Sequence, residues 1–522
     1  MGSALSSAGW HRHRMKLLRP ARYVASMFVL VWPFVVSEAL AVDDDDATET
    51  PVVLHGPPAP IAPAVISRDE MGRVTMRATR ITEPIVLDGK LDDPPYATVP
   101  SVSDFIQQEP HEGQLATEKT EAWVFFDDEN IYISARCWDS HPERMIVNEM
   151  RRDHRNIFQN EAVTVVLDTF YDRRNGFFFQ TNPLGALRDQ SISDDGNANN
   201  ADWNTVWDVK ASRDDQGWTM EMAIPFKSLR YKKGREQIWS INIRRSVRWK
   251  NEESFLSPVK ASHRYRGIYR LSEAATLVGI QAPLSSRNLE LKPYAISSVI
   301  SDVTKDPPVS NDLNGDFGFD LKYGLTKSLI ADLTYNTDFA QVEADEQQVN
   351  LTRFSLFFPE KREFFLEGQN IFVFGGRQLR GGGFRPGRNT QNLAPIMFFS
   401  RRIGLTDGGV DPIIAGGRVT GRTGKFRVGA LNIQTDGIDG SLEPTNFTVM
   451  RVRRDVLARG DIGVMATHRT SSVSENGLSN SLLGVDGNFS FYTNLRLNAY
   501  YSVTRTRLAE GVLSGDESSY QG

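Results

Sequence analysis

The chain has 522 residues, 40% apolar and 24% charged, so it is long enough for two or three folded domains. Its net charge of −5 provides no polybasic surface, which excludes nucleic acid as an expected partner. The single cysteine, Cys137, excludes an intrachain disulfide and a multi-cysteine metal site. With 41 glycines, 10% aromatic residues and few helical patterns, the composition favours an all-β protein.

The first 41 residues have the three-part plan of a secretory signal peptide. Residues 11–22 are basic, residues 23–36 are apolar, and Ala39-Leu40-Ala41 is a small-residue cleavage site. The apolar run is shorter than the ~17–25 residues that a membrane-spanning helix needs. Because Met15-Lys16 is a more typical start than Met1, residues 1–14 are interpreted as a start-site artefact. The sequence therefore predicts export.

Residues 42–72 are acidic and rich in proline. Four consecutive aspartates, Asp43 to Asp46, precede five prolines between Pro51 and Pro63. Such a composition buries too little apolar surface to offset the entropy of ordering, which predicts a disordered linker.

Residues 73–282 consist of short strand-like segments separated by turn signals, without alternating helices. Residues 122–126 and 131–135, joined by Asp127-Asp128-Glu129-Asn130, are typical of a β-hairpin. This spacing favours an antiparallel β-sandwich over a parallel α/β sheet.

Four motifs in this region resemble family 9 carbohydrate-binding modules. They are IVLDGKLDD at 85–93, WVFFDDENIY at 123–132, NEAV at 160–163 leading to Asp168, and GWTMEMAIP at 217–225. Known modules of that family are β-sandwiches that hold sugar ends between aromatic rings. The resemblance implies a sandwich whose partner is the end of an oligosaccharide or polysaccharide. A sandwich that has lost its sugar site is an equally weighted alternative.

The resemblance places the family's stacking tryptophan at Phe158, and it replaces a carboxylate ligand by Thr164 and an arginine ligand by Gln180. Sugar recognition needs flat aromatic faces with charged or amide groups around them. The candidate carbohydrate-binding residues are Phe158, Trp123, Arg152, Glu161, Gln180 and Trp203.

An oxygen-rich loop before Trp203 contains Asp194, Asp195 and Asp202. Such oxygens suit a structural Ca²⁺, but their spacing matches no standard calcium loop. A solvated turn is therefore the preferred interpretation, and no cofactor is expected.

Residues 283–522 change to longer segments in which apolar and polar residues alternate. Residues 317–325 and 329–335 show this pattern, and residues 483–491 and 495–503 repeat it. Alternation over roughly ten residues is typical of transmembrane β-strands. A soluble antiparallel sheet with one wet face is the alternative. Together with the signal peptide, the pattern predicts an outer-membrane-type antiparallel β-barrel, incomplete at the C-terminus, with membrane lipid as a partner.

An insert at 336–368 interrupts this alternation. The alternation of short turns and long loops predicts that residues 337–393 cross the barrel wall an odd number of times, with 369–375 (QNIFVFG) as the crossing strand. Its phenylalanines, among them Phe364 and Phe365, are expected to pack against the barrel or lipid. Glu360 to Glu363 are expected to face the lumen or to pair with one another.

Within the insert, DFAQVEADEQQVNLTRF followed by LFFPEKREFFLEG resembles the signature of the DUF5916 family. Proteins of that family are of unknown function and carry a family 9 carbohydrate-binding-like domain before a predicted barrel. The resemblance therefore supports the domain order but implies no chemistry.

The sequence favours a non-enzymatic outer-membrane barrel with a periplasmic sandwich that serves glycan binding or uptake linked to carbohydrate catabolism. One alternative is a glycoside hydrolase or its accessory subunit, for which acidic residues such as Glu343, Asp345, Glu360, Glu363 and Glu367 are available. The other is a structural scaffold with a vestigial sugar site.

Overall fold

A computed structural model of the chain describes most residues from 56 onwards. The described ranges are 56–70, 72–201, 203–232, 234–283, 289–302, 309–326, 328–337, 360–375, 396–406, 409–437, 443–457, 460–471, 479–491, 495–507 and 513–521. The predicted signal peptide therefore lies outside the described residues. None of the helices in these ranges has the length and apolarity to cross a membrane.

The N-terminal region is a β-sandwich. Its strands are β1 (Ile66–Arg68), β2 (Val74–Arg77), β3 (Thr79–Arg80), β4 (Ile106–Glu109), β5 (Thr120–Phe126), β6 (Asn130–Trp138), β7 (Ala162–Asp168), β8 (Gly176–Thr181), β9 (Arg188–Ser193), β10 (Ala198–Asn200), β11 (Asp208–Asp214), β12 (Gly217–Pro225), β13 (Glu236–Val247), β14 (Glu252–Phe255) and β15 (Ala275–Gln281). Strand β1 lies inside the segment that the sequence assigns to a disordered linker. The predicted hairpin of β5 and β6 is confirmed.

Two sheets form this sandwich. Sheet 1 has the order β1-β2-β15-β13-β7-β8-β9-β10, and β14 and β4 extend it from β13. Sheet 2 has the order β11-β12-β6-β5-β3. One short helix, α1 (Pro94–Thr98), and 3-10 helices at Pro142–Arg144, Arg155–Gln159, Phe226–Ser228, Arg248–Lys250, Ala261–Tyr269 and Leu271–Glu273 connect the strands.

The core of the sandwich is apolar and lies between the two sheets. Val163, Val165 and Leu167 of β7 face Met220 and Met222 of β12 in one cluster of buried side chains. Because side chains alternate along a strand, the residues between them point to the outer face of sheet 1. Burying such side chains stabilises the fold by about 1.5–3 kcal/mol each.

The C-terminal region is a ten-stranded antiparallel meander, sheet 3. Its strands are β16 (Leu289–Asp302), β17 (Val309–Gly324), β18 (Leu329–Tyr335), β21 (Ile413–Thr423), β22 (Phe426–Thr435), β23 (Thr445–Leu457), β24 (Gly460–Ser471), β25 (Ser479–Phe491), β26 (Leu495–Arg507) and β27 (Leu513–Gln521); the small pair β19 (Leu405–Thr406) and β20 (Gly409–Val410) lies apart. In the described residues β16 and β27 are unpaired edges, so the predicted closed barrel is not confirmed.

The two faces of sheet 3 have opposite polarity. Its inner face buries charged side chains such as Asp332, Arg418 and Arg451, whereas Leu313, Leu483 and other large apolar residues on its outer face are exposed. The alternation recognised in the sequence therefore places the buried charges on the inner face and the exposed apolar residues on the outer face.

The predicted crossing strand at 369–375 was wrong. Strands β18 and β21 pair directly, with Tyr335 opposite Ala415, and the described residues of the connection between them contribute no strand to sheet 3. Gln369–Phe372 is instead a 3-10 helix. The run QNIFVFG has the apolarity of a strand, but the carbonyls of Ile371 and Val373 accept hydrogen bonds from the side chain of Arg451.

Residues 360–375, named here the inner segment, lie against the inner face of sheet 3. They include α2 (Glu363–Leu366), and their rings Phe364, Phe365, Phe372 and Phe374 belong to the cluster buried on that face. The sheet has glycines where the rings approach: a Cβ at Gly429 would lie 2.8 Å from Phe372 Cζ. Phe364 and Phe365 pack against strands of sheet 3, which agrees with the expected packing on the strands of this region. Within 360–363, Arg362 pairs with Glu360 at 2.8 Å as expected, whereas Glu363 pairs with Lys292 of β16. The predicted roles of Phe354, Phe357 and Phe358 fall outside the described residues.

Ion pairs join the sandwich to one end of sheet 3. Arg174 of the sandwich binds the fully buried Asp461 at 3.1 Å, and Arg422 of sheet 3 binds Asp172 of the sandwich at 2.6 Å. Asp461 also forms ion pairs with Arg427 and Arg453. The connections between neighbouring strands at this end of sheet 3 are short, at 325–328, 424–425, 458–459 and 492–494. The long connection 336–412 joins strands at the opposite end. The sandwich therefore lies at the short-turn end of sheet 3.

Candidate functional site

A row of four polar side chains crosses the outer face of sheet 1. Strand register places Arg244 opposite Thr164, Thr164 opposite Gln180, and Gln180 opposite Arg188. All four are buried, Thr164 and Gln180 completely. These residues, Arg244, Thr164, Gln180 and Arg188, are named here the polar row.

The hydrogen bonds of the polar row are incomplete. Gln180 Nε2 donates to Thr164 Oγ1 at 3.0 Å, and Arg244 Nη2 donates to the same oxygen at 3.3 Å. Gln180 Oε1 and Arg188 Nη1 are buried without a hydrogen-bond partner. Burial lowers the pKa of both arginines below its ordinary value. An unpaired buried polar group costs roughly 1–3 kcal/mol, so an added hydrogen-bond partner for these two atoms would be favourable.

Aromatic rings flank the polar row. The guanidinium of Arg188 lies 3.9 Å from the ring centroid of Phe158, which is half-buried. Tyr269 stacks on Phe178 with centroids 5.2 Å apart. The 3-10 segment Ala261–Tyr269, named here the covering segment, lies over this face, and the carbonyl of Tyr265 accepts from Arg244 Nη1 at 3.3 Å. The row is therefore closed to solvent.

The structure brings together two of the predicted site residues, Phe158 and Gln180. Trp203 instead lies in the core between the sheets, 4.9 Å from the ring of Phe177. Trp123 lies on the outer face of sheet 2, where its Nε1 donates to the carbonyl of Val99 at 3.0 Å. Both tryptophans have structural contacts, and neither flanks the polar row.

Glu161 is fully buried at the start of β7. Its Oε1 accepts from the backbone N–H of Arg248 at 2.7 Å, and its Oε2 has no hydrogen-bond partner. Burial, opposed by the nearby Arg245, raises the pKa of Glu161 to about 7. The group is therefore a proton-binding site inside the fold and lies apart from the polar row.

Arg152 holds a separate buried carboxylate. Its Nη2 lies 2.6 Å from Asp189 Oδ2, which also accepts from Trp207 Nε1 at 2.7 Å. Burial raises the pKa of Asp189 to about 7. This cluster joins the segment that carries Arg152 to β9 and to the loop before β11, and Arg152 is accounted for by that structural contact.

The predicted calcium ligands point to different partners. Asp194 accepts from Arg174, whereas Asp195 accepts from Arg270 and from the backbone and hydroxyl of Ser272. Asp202 lies outside the described residues. The described residues contain no cluster of acidic, histidine or cysteine side chains able to hold a metal ion.

The acidic residues considered for hydrolysis are held in ion pairs. Glu360 binds Arg362, Glu363 binds Lys292, and Glu367 binds both Arg230 and Lys322. Glu343 and Asp345 lie outside the described residues. Each described carboxylate thus has a stabilising partner.

Two residues of the polar row, Arg188 and Arg244, were missed by sequence reasoning. Alternation along β9 and β13 does predict that they point outward, opposite to Ile241 and Ile243 of the core. Only strand register, which joins residues far apart in the chain, places them beside Gln180.

Comparison with known families confirms both resemblances predicted from the sequence. Residues 87–244 match the model described as "Carbohydrate family 9 binding domain-like". Residues 285–379 match the model described as "Domain of unknown function (DUF5916)". The chain thus carries a family 9-like sandwich followed by the DUF5916 segment.

Solved structures are similar to part of this chain. A family 9 module from Caldicellulosiruptor kristjanssonii in complex with cellotriose has 14% identity and a TM-score of 0.28, covering 40% of this chain and 95% of that chain. A putative carbohydrate-binding protein from Bacteroides uniformis ATCC 8492 has 10% identity and a TM-score of 0.32, covering 39% and 98%. No curated protein matches the chain significantly.

Proposed function

We propose that the chain is an exported outer-membrane β-barrel protein whose sandwich lies on the periplasmic side. The observation that carries this proposal is the polarity of sheet 3, with charges buried on its inner face and large apolar residues exposed outside. Leu313 is 71% exposed and Leu483 is 61% exposed, an arrangement that costs free energy in water but not in lipid.

Strand length and connection length support the same proposal. Strands β21 to β26 have 10 to 13 residues, enough for the ~9–11 residues of a tilted membrane-spanning strand. Outer-membrane barrels have short periplasmic turns. The sandwich contacts the short-turn end of sheet 3, and the N-terminal signal-peptide pattern supports export.

Membrane fractionation tests this function. The full chain, expressed with its N-terminal segment in a Gram-negative host, is expected to be cleaved after Ala41 and to sediment with the outer membrane. Unboiled samples are expected to migrate faster than boiled ones in detergent gels, as folded barrels do. Recovery as a soluble periplasmic protein would contradict the proposal and favour a soluble sheet that binds a partner through its apolar face.

A second function, carbohydrate binding by the sandwich, is favoured by the polar row. Its unpaired Gln180 Oε1 and Arg188 Nη1 lie near the half-buried ring of Phe158, and a sugar supplies both hydroxyls for the polar atoms and C–H faces for the ring. Because the row is buried, binding requires displacement of the covering segment. The role that follows is glycan capture or uptake for carbohydrate catabolism.

Calorimetric titration of the folded full chain with gluco-oligosaccharides tests this second function. Phe158→Ala and Arg188→Gln are each expected to weaken binding by about tenfold or more. Trp123→Phe is the matched control, because Trp123 lies on the outer face of sheet 2 and its replacement leaves the polar row intact. Absence of binding to any glycan would leave the sandwich as a scaffold, and equal losses in all three variants would place the site elsewhere.

A further inference from the structure

A cavity of about 650 Å³ lies on the inner face of sheet 3, between β23, β24 and residues 396–403. It is separate from the polar row and from the ion pairs that hold the sandwich. Pockets for small ligands are commonly ~300–1,000 Å³ and mainly apolar. This cavity therefore has the size of a ligand site.

The wall of the cavity is aromatic and aliphatic. Phe398, Ile403, Phe447 and Val449 contribute to it, and Phe398 also contacts Phe372 of the inner segment with centroids 5.5 Å apart. Phe447 and Phe398 are half-buried rather than buried. Their partial exposure leaves apolar surface that a ligand can cover.

Cationic and amide groups border the same cavity. Strand register places Phe447 opposite Arg469, and Arg469 opposite Asn480, so these three side chains lie side by side on the inner face. Arg402 approaches from the 3-10 turn Ser400–Arg402. The cavity thus combines an apolar wall with two positive charges at its edge.

These two arginines differ from others on the inner face. Arg362, Arg418 and Arg451 each bind a carboxylate at 2.7–2.8 Å. In the part of the chain that the structure describes, Arg402 and Arg469 form no ion pair, and both are exposed. Water satisfies an isolated exposed arginine, but two such charges beside one apolar cavity are complementary to an anion that carries an apolar group.

We propose that this cavity binds a small, water-soluble amphipathic anion, with its aromatic or aliphatic body against Phe398 and Phe447 and its carboxylate, sulfate or phosphate on Arg402 and Arg469. The inference rests on the proposed membrane function in one respect. Because the cavity is on the inner face, opposite the face assigned to lipid, the ligand reaches it from water rather than from the bilayer.

Titration calorimetry with 2-naphthoate and its uncharged isostere 2-naphthamide tests the proposal. The full chain is used either in lipid nanodiscs or in buffer, depending on which of the two keeps it folded. It is expected to bind the acid at one site about 10- to 100-fold more tightly than the amide, because charge-assisted hydrogen bonds favour the acid. The variant Arg402→Gln/Arg469→Gln is expected to remove that preference. Phe447→Ala is expected to weaken the acid and the amide alike.

Arg507→Gln is the matched control, since Arg507 is exposed and follows the outward side of β26 at the same end of the sheet. It is expected to leave both affinities unchanged. Equal binding of acid and amide, loss of affinity in the control, or no binding by the folded chain would each overturn the proposal. A chain that folds in buffer and binds the acid would overturn the membrane function while retaining the anion site, so the two failures are distinguishable.

Discussion

The space between the two sheets of the sandwich and the inner face of sheet 3 bury different mixtures of side chains. Between sheets 1 and 2 the buried residues are apolar, with Trp218 and Trp239 at 0% exposure. On the inner face of sheet 3 the buried residues include Arg451, Asp461 and Asp486, while apolar side chains cover the outer face. Both regions are built from alternating strands, antiparallel except for the pairs β2–β15 and β3–β5 of the sandwich, so alternation alone does not decide which face becomes the core.

Under the proposed membrane function, the two regions differ in what surrounds them. A sheet in water hides its apolar face, whereas a sheet in lipid presents that face and collects its charges inside. Paired charges then add to the apolar cluster in the interior of sheet 3, whereas apolar packing dominates between the two sheets of the sandwich. The predictions below test this distinction, beginning with the largest expected effect.

Removing one partner of a buried ion pair should destabilise sheet 3 strongly. Arg451 binds Asp486 through two bonds of 2.7 and 2.8 Å and donates to the carbonyls of Ile371 and Val373. Arg451→Met leaves Asp486 and both carbonyls without these donors, so the free energy of unfolding is expected to fall by about 3–5 kcal/mol. Urea titration of the chain folded in detergent micelles measures it.

The sandwich offers a matched pair for that experiment. Arg136 binds Asp214 with the same two-bond geometry, but Asp214 is 50% exposed. Arg136→Met is expected to cost less than about 1 kcal/mol because water solvates the remaining carboxylate. Similar losses for Arg136→Met and Arg451→Met would contradict a charge-dependent interior in sheet 3. The double variant Arg451→Met/Asp486→Leu is expected to recover part of the stability.

Placing a charge on the outer face of sheet 3 should be costly only in lipid. Val464 lies in β24 and is 48% exposed, so in water Val464→Arg would be tolerated. At the centre of a bilayer the same change is expected to cost about 2–4 kcal/mol. Val206→Arg in the sandwich, at a valine that is 66% exposed, is expected to stay within about 0.5 kcal/mol. Unfolding in lipid vesicles measures both, and a neutral Val464→Arg would argue against a lipid-facing surface.

Much of the fold could be predicted because the signals are local. Alternation identified several strands in each region, including the hairpin of β5 and β6. The inner segment was misread because QNIFVFG has the apolar composition of a strand. Its carbonyls at Ile371 and Val373 bond to Arg451, which lies about eighty residues further along the chain. No local pattern carries such a contact.

The candidate site was harder to predict than the fold. Phe158 and Gln180 were identified because the family resemblance carried them, but Trp123 and Trp203 were included on ring type alone. A tryptophan on a strand fills a core as readily as it stacks on a sugar, and in Trp203 the structure shows the former. Arg188 and Arg244 required strand register, which sequence alternation does not specify.

Neutralising Glu161 should change how stability of the sandwich depends on pH. Its pKa is raised from 4.5 to about 7 by burial, so the folded state binds a proton that the unfolded state releases between those values. The resulting stability is fully present below about pH 4.5 and is lost as pH rises through 7. Glu161→Gln is expected to reduce this decline and to stabilise the sandwich at pH 8 by on the order of 1–3 kcal/mol.

Tryptophan fluorescence during urea unfolding measures the effect of Glu161→Gln, because every tryptophan after residue 55 lies in the sandwich. The pKa of Asp189 is also about 7, so part of the dependence of stability on pH is expected to remain in the Glu161→Gln variant. Glu121→Gln is a control, because the pKa of this partly exposed carboxylate is lowered by its partners. An unchanged slope in Glu161→Gln would show that Glu161 is ionised in the fold at neutral pH.

The smallest effect on stability is expected at the junction of the two regions, where ion pairs join the sandwich to sheet 3. Arg422 binds Asp172 of the sandwich at 2.6 Å and Asp455 of its own sheet at 2.7 Å. Asp172 keeps donors from the backbone of Arg174 and Asn175 when Arg422 is removed, so it is not left unpaired. A double-mutant cycle of Arg422→Ala with Asp172→Asn is therefore expected to give a coupling of only about 1 kcal/mol.

Salt should weaken the coupling between Arg422 and Asp172 less than that of an exposed pair, because the junction is largely screened from water. The exposed pair Arg80 and Asp128, whose side chains are 37% and 78% exposed, is expected to give about 0–0.5 kcal/mol and to lose it at high salt. Comparable values for the two cycles would mean that Arg422 and Asp172 are as hydrated in solution as a surface pair. The sandwich would then be tethered to sheet 3 by the chain rather than held by charge, and unfolding followed by tryptophan fluorescence would be independent of the state of sheet 3.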